Sequence, residues 1–295
     1  VQYSLLGSTG LRVSKLGLGG AFGKAADSKI VTIVHAAIDR GINMIDTAHA
    51  YFDSERRIGE ALRGRRQQVI LASKVGGKTS LSYGYEAVID SVEESLRRLK
   101  TDCLDLIQLH SLETCGDRMA KEETLPAFHK LQEQGKVRFT GISGRRAEAL
   151  APFVQEGLVD TVQPFGTYTL IDHSAGADLF PEAREHGIGV IMASPLWMGI
   201  LADTPAHFLC ERHDLLAEAE RRKAEIAFLR QHDGPGGLIE PAMRFCLSCP
   251  DIAVTLTGAR SVLELEQNCS FCDGRGLGQQ LEERILALFH GRGLQ

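Results

Sequence analysis

The stretch "GINMIDTAHAYFDSERRIGEALRG", residues 41–64, joins a short apolar run to an amphipathic one. Ile42 to Ile45 reads as a buried strand, and the run from Ser54 reads as a helix capped by Ser54 and stopped at Gly64. The apolar run ends on Asp46, and Tyr51 stands in the connection that follows. A strand that only fills a core has no use for a terminal carboxylate. Asp46 is therefore either a helix cap or a group held at a strand end for chemistry.

The same unit recurs along the chain. "KLGLGG" (15–20) precedes "DSKIVTIVHAAIDRG" (27–41), a helix pattern with Asp27 or Ser28 as its cap. "QVILASKV" (68–75) precedes "YEAVIDSVEESLRRLK" (85–100), and "CLDLIQLH" (103–110) precedes "KEETLPAFHKLQEQG" (121–135). "VRFTGIS", "DTVQPF", "IGVIMASP" and "IAVTLTGA" are each followed by a helical pattern, the last being "SVLELEQNCSF". Strands alternating with helices imply a parallel sheet, and eight such units predict a closed (β/α)8 TIM barrel, an α/β fold. No break in composition divides them, so the barrel is expected as one domain over residues 1–295. "YSLLGSTGLRVSKLG" (3–17) predicts a small hairpin about Gly7–Gly10 that would plug the bottom of the barrel. The long charged segment Asp203 to Asp233 predicts a loop plus a helix over one face.

The totals exclude several classes. With 295 residues, 43% of them hydrophobic, the chain has material for one large core. A net charge of −5 offers nothing to nucleic acid or to an anionic membrane. No apolar run is long enough to span a bilayer. The seven cysteines, an odd number, point to a reducing compartment, and "VQYSLLGSTG" has neither the basic start nor the apolar centre of a signal peptide. A soluble cytoplasmic protein is expected.

In a barrel of this kind the active site lies at the C-terminal strand ends. The second apolar run ends at Asp46, the third at Lys74 and the fourth at His110, with Tyr51 just beyond the second. Each alone has an ordinary structural reading: a cap, an edge lysine, a core histidine, a packed aromatic. Together on one rim they suit general acid–base chemistry over a carbonyl or alcohol. A phenol is too weak an acid for proton transfer at neutral pH. A nearby Lys74 ammonium would lower its pKa, Asp46 would keep that ammonium in place, and His110 would orient the substrate oxygen.

These residues resemble the signature of the aldo-keto reductases. "GINMIDTAHAYFDSERRIGEAL" and the Asp–Tyr–Lys–His order match that family's tetrad, and similarity runs from "LGSTGLRVSKLGLGG" to "TGARSVLELEQN". The resemblance implies hydride transfer between a nicotinamide cofactor and a carbonyl or alcohol, with Asp46, Tyr51, Lys74 and His110 catalytic. It implies cofactor contacts from Gly19, Gly20, Asp46, Ser143, Gln163, Ser194, Leu196, Gly199, Gly258, Arg260, Gln267 and Asn268. Phe22, Tyr51, His110 and Trp197 are the implied substrate contacts. "GISG" and "ASPLWMG" are most similar to the L-galactose and aldose dehydrogenase branch, which implies a sugar or polyol-like substrate and a monomer. Gly144 stands where many relatives have Asn, and Ala193 and Ala21 where aromatics are common.

The cofactor is expected to be NADP or NAD. Arg260 suits a 2′-phosphate, whereas Glu264 one turn later would pair with Arg260 and repel it. The spacing of "CLSC" (246–249) and "CSFC" (269–272) also fits a zinc ribbon. Helical placement makes Cys246, Cys249, Cys269 and Cys272 small core residues instead, and no metal is expected. Two other functions stay open: a broad aldehyde or ketone reductase, and a cofactor-binding regulatory subunit. "GGKTSLSYGYE" (76–86) and "HSLETCGDRMAKEE" (110–123), beyond the third and fourth runs, carry no readable code for the substrate.

Overall fold

The computed structural model describes residues 1–77, 79–289, 293 and 294, the side chains of Ser80 and Leu81 excepted. The stretch 76–86 is thus described apart from Lys78. Eight strands form a closed barrel: β3 (Leu16–Gly19), β4 (Met44–Asp46), β5 (Ile70–Gly76), β6 (Leu104–His110), β7 (Val137–Gly144), β8 (Thr161–Pro164), β9 (Gly189–Ala193) and β10 (Ile252–Thr257). Neighbours pair in parallel in sequence order, and β10 closes on β3. The eight apolar runs of the sequence become these strands, and helices cover the outside.

Helix ends depart from the sequence expectation in an informative way. The first helix, Asp27–Asp39, starts from Ala26, with no side-chain cap; Asp27 pairs instead with Arg56 and Arg57. Ser54 begins the helix Ser54–Ala61 but does not cap it. Its hydroxyl donates to the carbonyl of Gly20 at 2.6 Å and accepts from Thr47 Oγ1 at 2.8 Å. Ser54 therefore ties the end of β3 to the segment beyond β4. Only tertiary partners decided between these uses of a short hydroxyl. By contrast Ser261 does cap the helix Val262–Phe271, accepting from the Glu264 amide at 3.1 Å. The segment after Asp203 holds the helix His213–Glu225, anchored where Asp203 meets Lys223 and Arg230. A further helix, Gln279–Leu288, lies beyond the eight units.

The hairpin pairs β1 (Tyr3–Leu5) with β2 (Arg12–Ser14) and sits against the N-terminal strand ends. Leu6 and Val13 are fully buried there with Met44, Ala72, Leu106, Ile191 and Val254. Ser4 Oγ donates to the Ala253 carbonyl at 2.6 Å, and the Ser8 amide to the Gly187 carbonyl at 2.7 Å. Gly7 has φ +53°, and a β-carbon there would come within 2.4 Å of the Gly189 nitrogen, so only glycine fits. Buried apolar side chains close this end.

Candidate active site

Side chains of a strand alternate with period two, so the residue two positions beyond an inward-facing one also faces inward. Met44 leads to Asp46, Ala72 to Lys74, and Leu106 to Gln108 and then His110. The pairing register places Lys74 beside Gln108, Gly76 beside His110, and Gly19 beside Asp46. The lumen therefore turns from apolar to ionisable within a two-residue step.

Lys74 is 1% exposed. Its ammonium donates to Asp46 Oδ2 and, at 3.0 Å, to the Thr47 carbonyl. Gln108 Nε2 donates to the other Asp46 oxygen at 3.1 Å. Two charges this deep require such pairing, because an unpaired one would bear the full cost of desolvation. The Lys74 nitrogen lies 5.4 Å from the centre of the Tyr51 ring. The His110 ring stands edge-on to Tyr51, with centroids 5.5 Å apart and planes at 84°. The four groups expected from the sequence do converge.

Their electrostatics differ from the expectation. Lys74 exerts the largest single pull on the Tyr51 pKa, downward, yet burial and the Asp46 carboxylate outweigh it, and the phenol sits above its ordinary value. Tyr51 is then a protonated donor at neutral pH. Burial, with the Lys74 charge behind it, holds the His110 pKa down at about 3. His110 is neutral at working pH and can give or take one hydrogen bond without carrying charge. His49 turns away from the group: its Nδ1 lies 3.8 Å from Glu55 and 3.5 Å from Arg98.

Tyr51 and Asp46 line a cavity of about 270 Å³ together with Gly19, Gly20, Gln163, Phe165, Ser194 and Leu196. This cavity runs into a groove of about 840 Å³ that shares Gly19, Leu196 and Gly258 and reaches Gly199, Arg260, Gln267 and Asn268. Beyond β9 the chain turns sharply. Ser194, Trp197, Met198 and Asp203 take positive φ although none is glycine, a strained backbone of the sort found at binding loops. Ser194 Oγ accepts from the Met198 amide at 2.8 Å and so holds that loop shut. Gly199 has φ +88°, and a β-carbon there would lie 2.2 Å from the Thr204 carbonyl.

The hollow has the shape and chemistry for a dinucleotide. The buried Oε1 of Gln163, on the cavity wall, has no hydrogen-bond partner among the described residues and can accept from a carboxamide. Gly19, Gly20 and Gly258 leave bare backbone along the path, and Arg260 and Lys29 supply positive charge in the groove. Asn268 Nδ2 donates to the Gly258 carbonyl at 3.3 Å and fixes that corner.

Three of the expected contact residues have other neighbours as well. The Ser143 hydroxyl donates to the Leu109 carbonyl at 3.1 Å and accepts from the Ser111 amide at 3.3 Å, which leaves one lone pair for a further donor. Phe22 lines the long groove with Arg260 and is not on the wall of the Tyr51 cavity. Trp197 is buried under Arg145 and borders a second cavity on the same rim. Sequence reasoning also missed Gln108, Lys29 and Phe165. Gln108 was detectable, lying one inward-facing step below His110 on the same strand. Cys246, Cys249 and Cys272 are buried and Cys269 is half-buried; Cys246 Sγ donates to the Tyr168 carbonyl at 3.2 Å. Among the described residues, no three metal-ligating side chains gather.

Residues 15–280 match the Aldo/keto reductase family. The chain is 34% identical over 283 residues to L-galactose dehydrogenase from Arabidopsis thaliana, covering 91% of this chain and 87% of that one. A solved aldo-keto reductase from Bacillus halodurans, in its holo form, superposes with a TM-score of 0.81 at 29% identity, over 99% of this chain and 97% of that one. One from Klebsiella pneumoniae in complex with NADPH gives a TM-score of 0.75 at 26% identity, over 100% and 97%. A closed barrel with Asp46, Tyr51, Lys74 and His110 gathered at its C-terminal end beside a dinucleotide-sized groove agrees with these matches, and the chain belongs to the aldo/keto reductase family of NAD(P)-dependent oxidoreductases.

Proposed function

We propose that this enzyme moves a hydride between NADP(H) and the carbonyl or alcohol carbon of a sugar or polyol-like substrate, with Tyr51 as general acid–base. One observation carries the reading: a buried ammonium, Lys74, clamped by Asp46 and Thr47, faces a half-buried phenol that His110 meets edge-on. A nicotinamide held in the groove would supply or accept the hydride. Tyr51 gives its proton to the substrate oxygen in reduction and takes one from the hydroxyl in oxidation. Neutral His110 hydrogen-bonds the same oxygen and sets its direction. Lys74 and Asp46 hold the phenol's surroundings fixed, so that charge developing on oxygen meets dipoles already in place. Gln163 would hold the carboxamide, Gly19, Gly20 and Gly258 would admit the dinucleotide, and Ser194, Leu196 and Gly199 would lie along it.

Arg260, 84% exposed, and Lys29 support NADP, since guanidinium and ammonium both suit a 2′-phosphate. Glu264 limits that preference: it accepts from the Arg260 amide at 2.7 Å and lies 3.3 Å from its guanidinium. The sugar class is supported by the likeness to an L-galactose dehydrogenase. We also read residues 1–295 as one barrel domain acting as a cytoplasmic monomer. Seven free cysteines support a reducing compartment, and one chain supplies every proposed site residue.

Calorimetric titration with NADPH and NADH, followed by a sugar and aldehyde panel, tests this. Micromolar binding, NADPH tighter, with turnover of sugars above simple aldehydes is the expected outcome. Failure of both nucleotides to bind would end the reading.

A further inference from the structure

A second cavity, of about 570 Å³, opens on the same face as Tyr51. Its walls come from the chain just beyond four consecutive strands: Ser111 after β6, Arg145 after β7, Phe165 after β8 and Trp197 after β9, with Arg212 joining them. Phe165 also lines the cavity of Tyr51, and Ser111 directly follows His110, so the two hollows adjoin.

The charges in it are arranged unusually. The Arg145 guanidinium lies 5.2 Å over the ring of Trp197, which is 1% exposed. Stacking on a fixed indole orients the planar cation. Arg146, next in sequence, pairs with Glu148 at 2.8 Å. Arg145 and Arg212 have no carboxylate at ion-pair distance among the described residues. Four carboxylates also line the cavity: Glu148 is the partner of Arg146, Asp178 makes no salt bridge among the described residues, and Glu113 and Asp172 take hydrogen bonds from other donors. Glu113 accepts from the amides of Arg145 and Arg146 at 2.5 and 2.8 Å and from Ser111 Oγ at 3.3 Å. Asp172 accepts from Ser174 and from the Leu294 amide at 2.6 Å. Burial, and after it the like charge of Arg212, hold the Arg145 pKa below its ordinary value. Glu113 and Asp172 pull the other way through space but form no salt bridge with it, so the guanidinium N–H groups of half-buried Arg145 and exposed Arg212 are available to a bound anion.

We propose that the substrate carries an anionic group, a carboxylate or a phosphate, away from its reacting carbon, and that Arg145 and Arg212 hold that group in this cavity. The proposal rests on the hydride-transfer reading above and names the substrate class for that site. Arg forks match both oxyanions in two-point geometry, which a neutral hydroxyl cannot offer.

The test uses the NADP⁺-loaded protein and three probes: a neutral hexose, the matching hexuronate and the matching hexose 6-phosphate. Binding is read by calorimetry and turnover separately. At least one charged probe should bind about 10- to 100-fold tighter than the hexose, the span of a charged hydrogen bond. That advantage should shrink with salt. Arg212→Gln, on an exposed residue, and Arg145→Gln should each remove most of it while leaving hexose and NADP⁺ affinity unchanged. Uronate above phosphate, or the reverse, identifies the anion. Equal affinity for neutral and charged probes, or charged affinity unaltered in both variants, overturns the proposal. Charged probes that bind through the arginines without turnover would uphold the anion site and sink the hydride-transfer reading instead.

Discussion

The two ends of this barrel are built from the same strands and do opposite work. At the N-terminal end Met44, Ala72, Leu106, Ile191 and Val254 meet Leu6 and Val13 of the hairpin and exclude water. One inward-facing step higher, Asp46, Lys74 and Gln108 take over, and a hydrogen-bonded ion pair occupies the lumen. The difference teaches that a barrel assigns stability and chemistry by height along the strand. The lower layer makes the upper one affordable: a closed floor fixes the strands on which a buried charge pair must be held.

That contrast can be broken by exchanging the two kinds of effect. The largest change is expected at the upper end. Asp46→Asn leaves the Lys74 ammonium buried without its counter-charge, and should destabilise the fold by about 3–5 kcal/mol as well as stopping turnover. Adding Lys74→Met should return much of the stability in urea melts and none of the activity. A single variant that melts like the parent would show the pair to be incidental.

At the lower end Leu6→Ala should cost about 2–5 kcal/mol through the cavity it opens. The kcat and KM of the molecules that remain folded should not move. A change in kcat there would mean that the floor and the site are coupled more tightly than height alone implies.

His110 sharpens the comparison by pH. Its folded pKa of about 3 lies below the ordinary histidine value, so between that value and about 3 the unfolded chain binds a proton that the folded chain refuses. Stability should therefore fall as pH falls through this window, by at most about 1.4 kcal/mol per pH unit. His110→Gln should flatten that slope, and pH–rate profiles should show no histidine break near neutrality. With the Tyr51 pKa raised, reduction should stay level through neutral pH and oxidation should climb on the alkaline side. The smallest effect is expected farthest from the chemistry: Glu264→Gln, which frees Arg260, should raise the preference for NADPH over NADH a few-fold by affinity ratio.

The barrel was legible because strand and helix periods differ and the chain repeats the pair eight times. The four groups on the rim were legible because strand ends are addresses in this fold. What escaped depended on distance in space. Ser54 reads as a cap until the Gly20 carbonyl is seen beside it. Ser143 reads as a cofactor contact, and only the fold shows that its hydroxyl also bonds Leu109 and Ser111. Phe22 follows the strand-end glycines in sequence, but the loop carries it towards Arg260. Lys74 does pull the Tyr51 pKa down as expected, but burial and then Asp46 outweigh it, a balance that no spacing rule weighs.

The most direct test follows a single hydrogen. The enzyme is given NADPH deuterated at the transferring position and a sugar aldehyde, and the product is weighed by mass spectrometry for wild type and Tyr51→Phe. Deuterium should appear in the wild-type product and fall by about 10²- to 10⁴-fold in rate in the variant, with NADPH affinity unchanged. Label transfer at the full rate without the phenol, or none from the wild type to any carbonyl while NADPH binds, would contradict the assignment of this rim as a hydride-transfer site run by Tyr51.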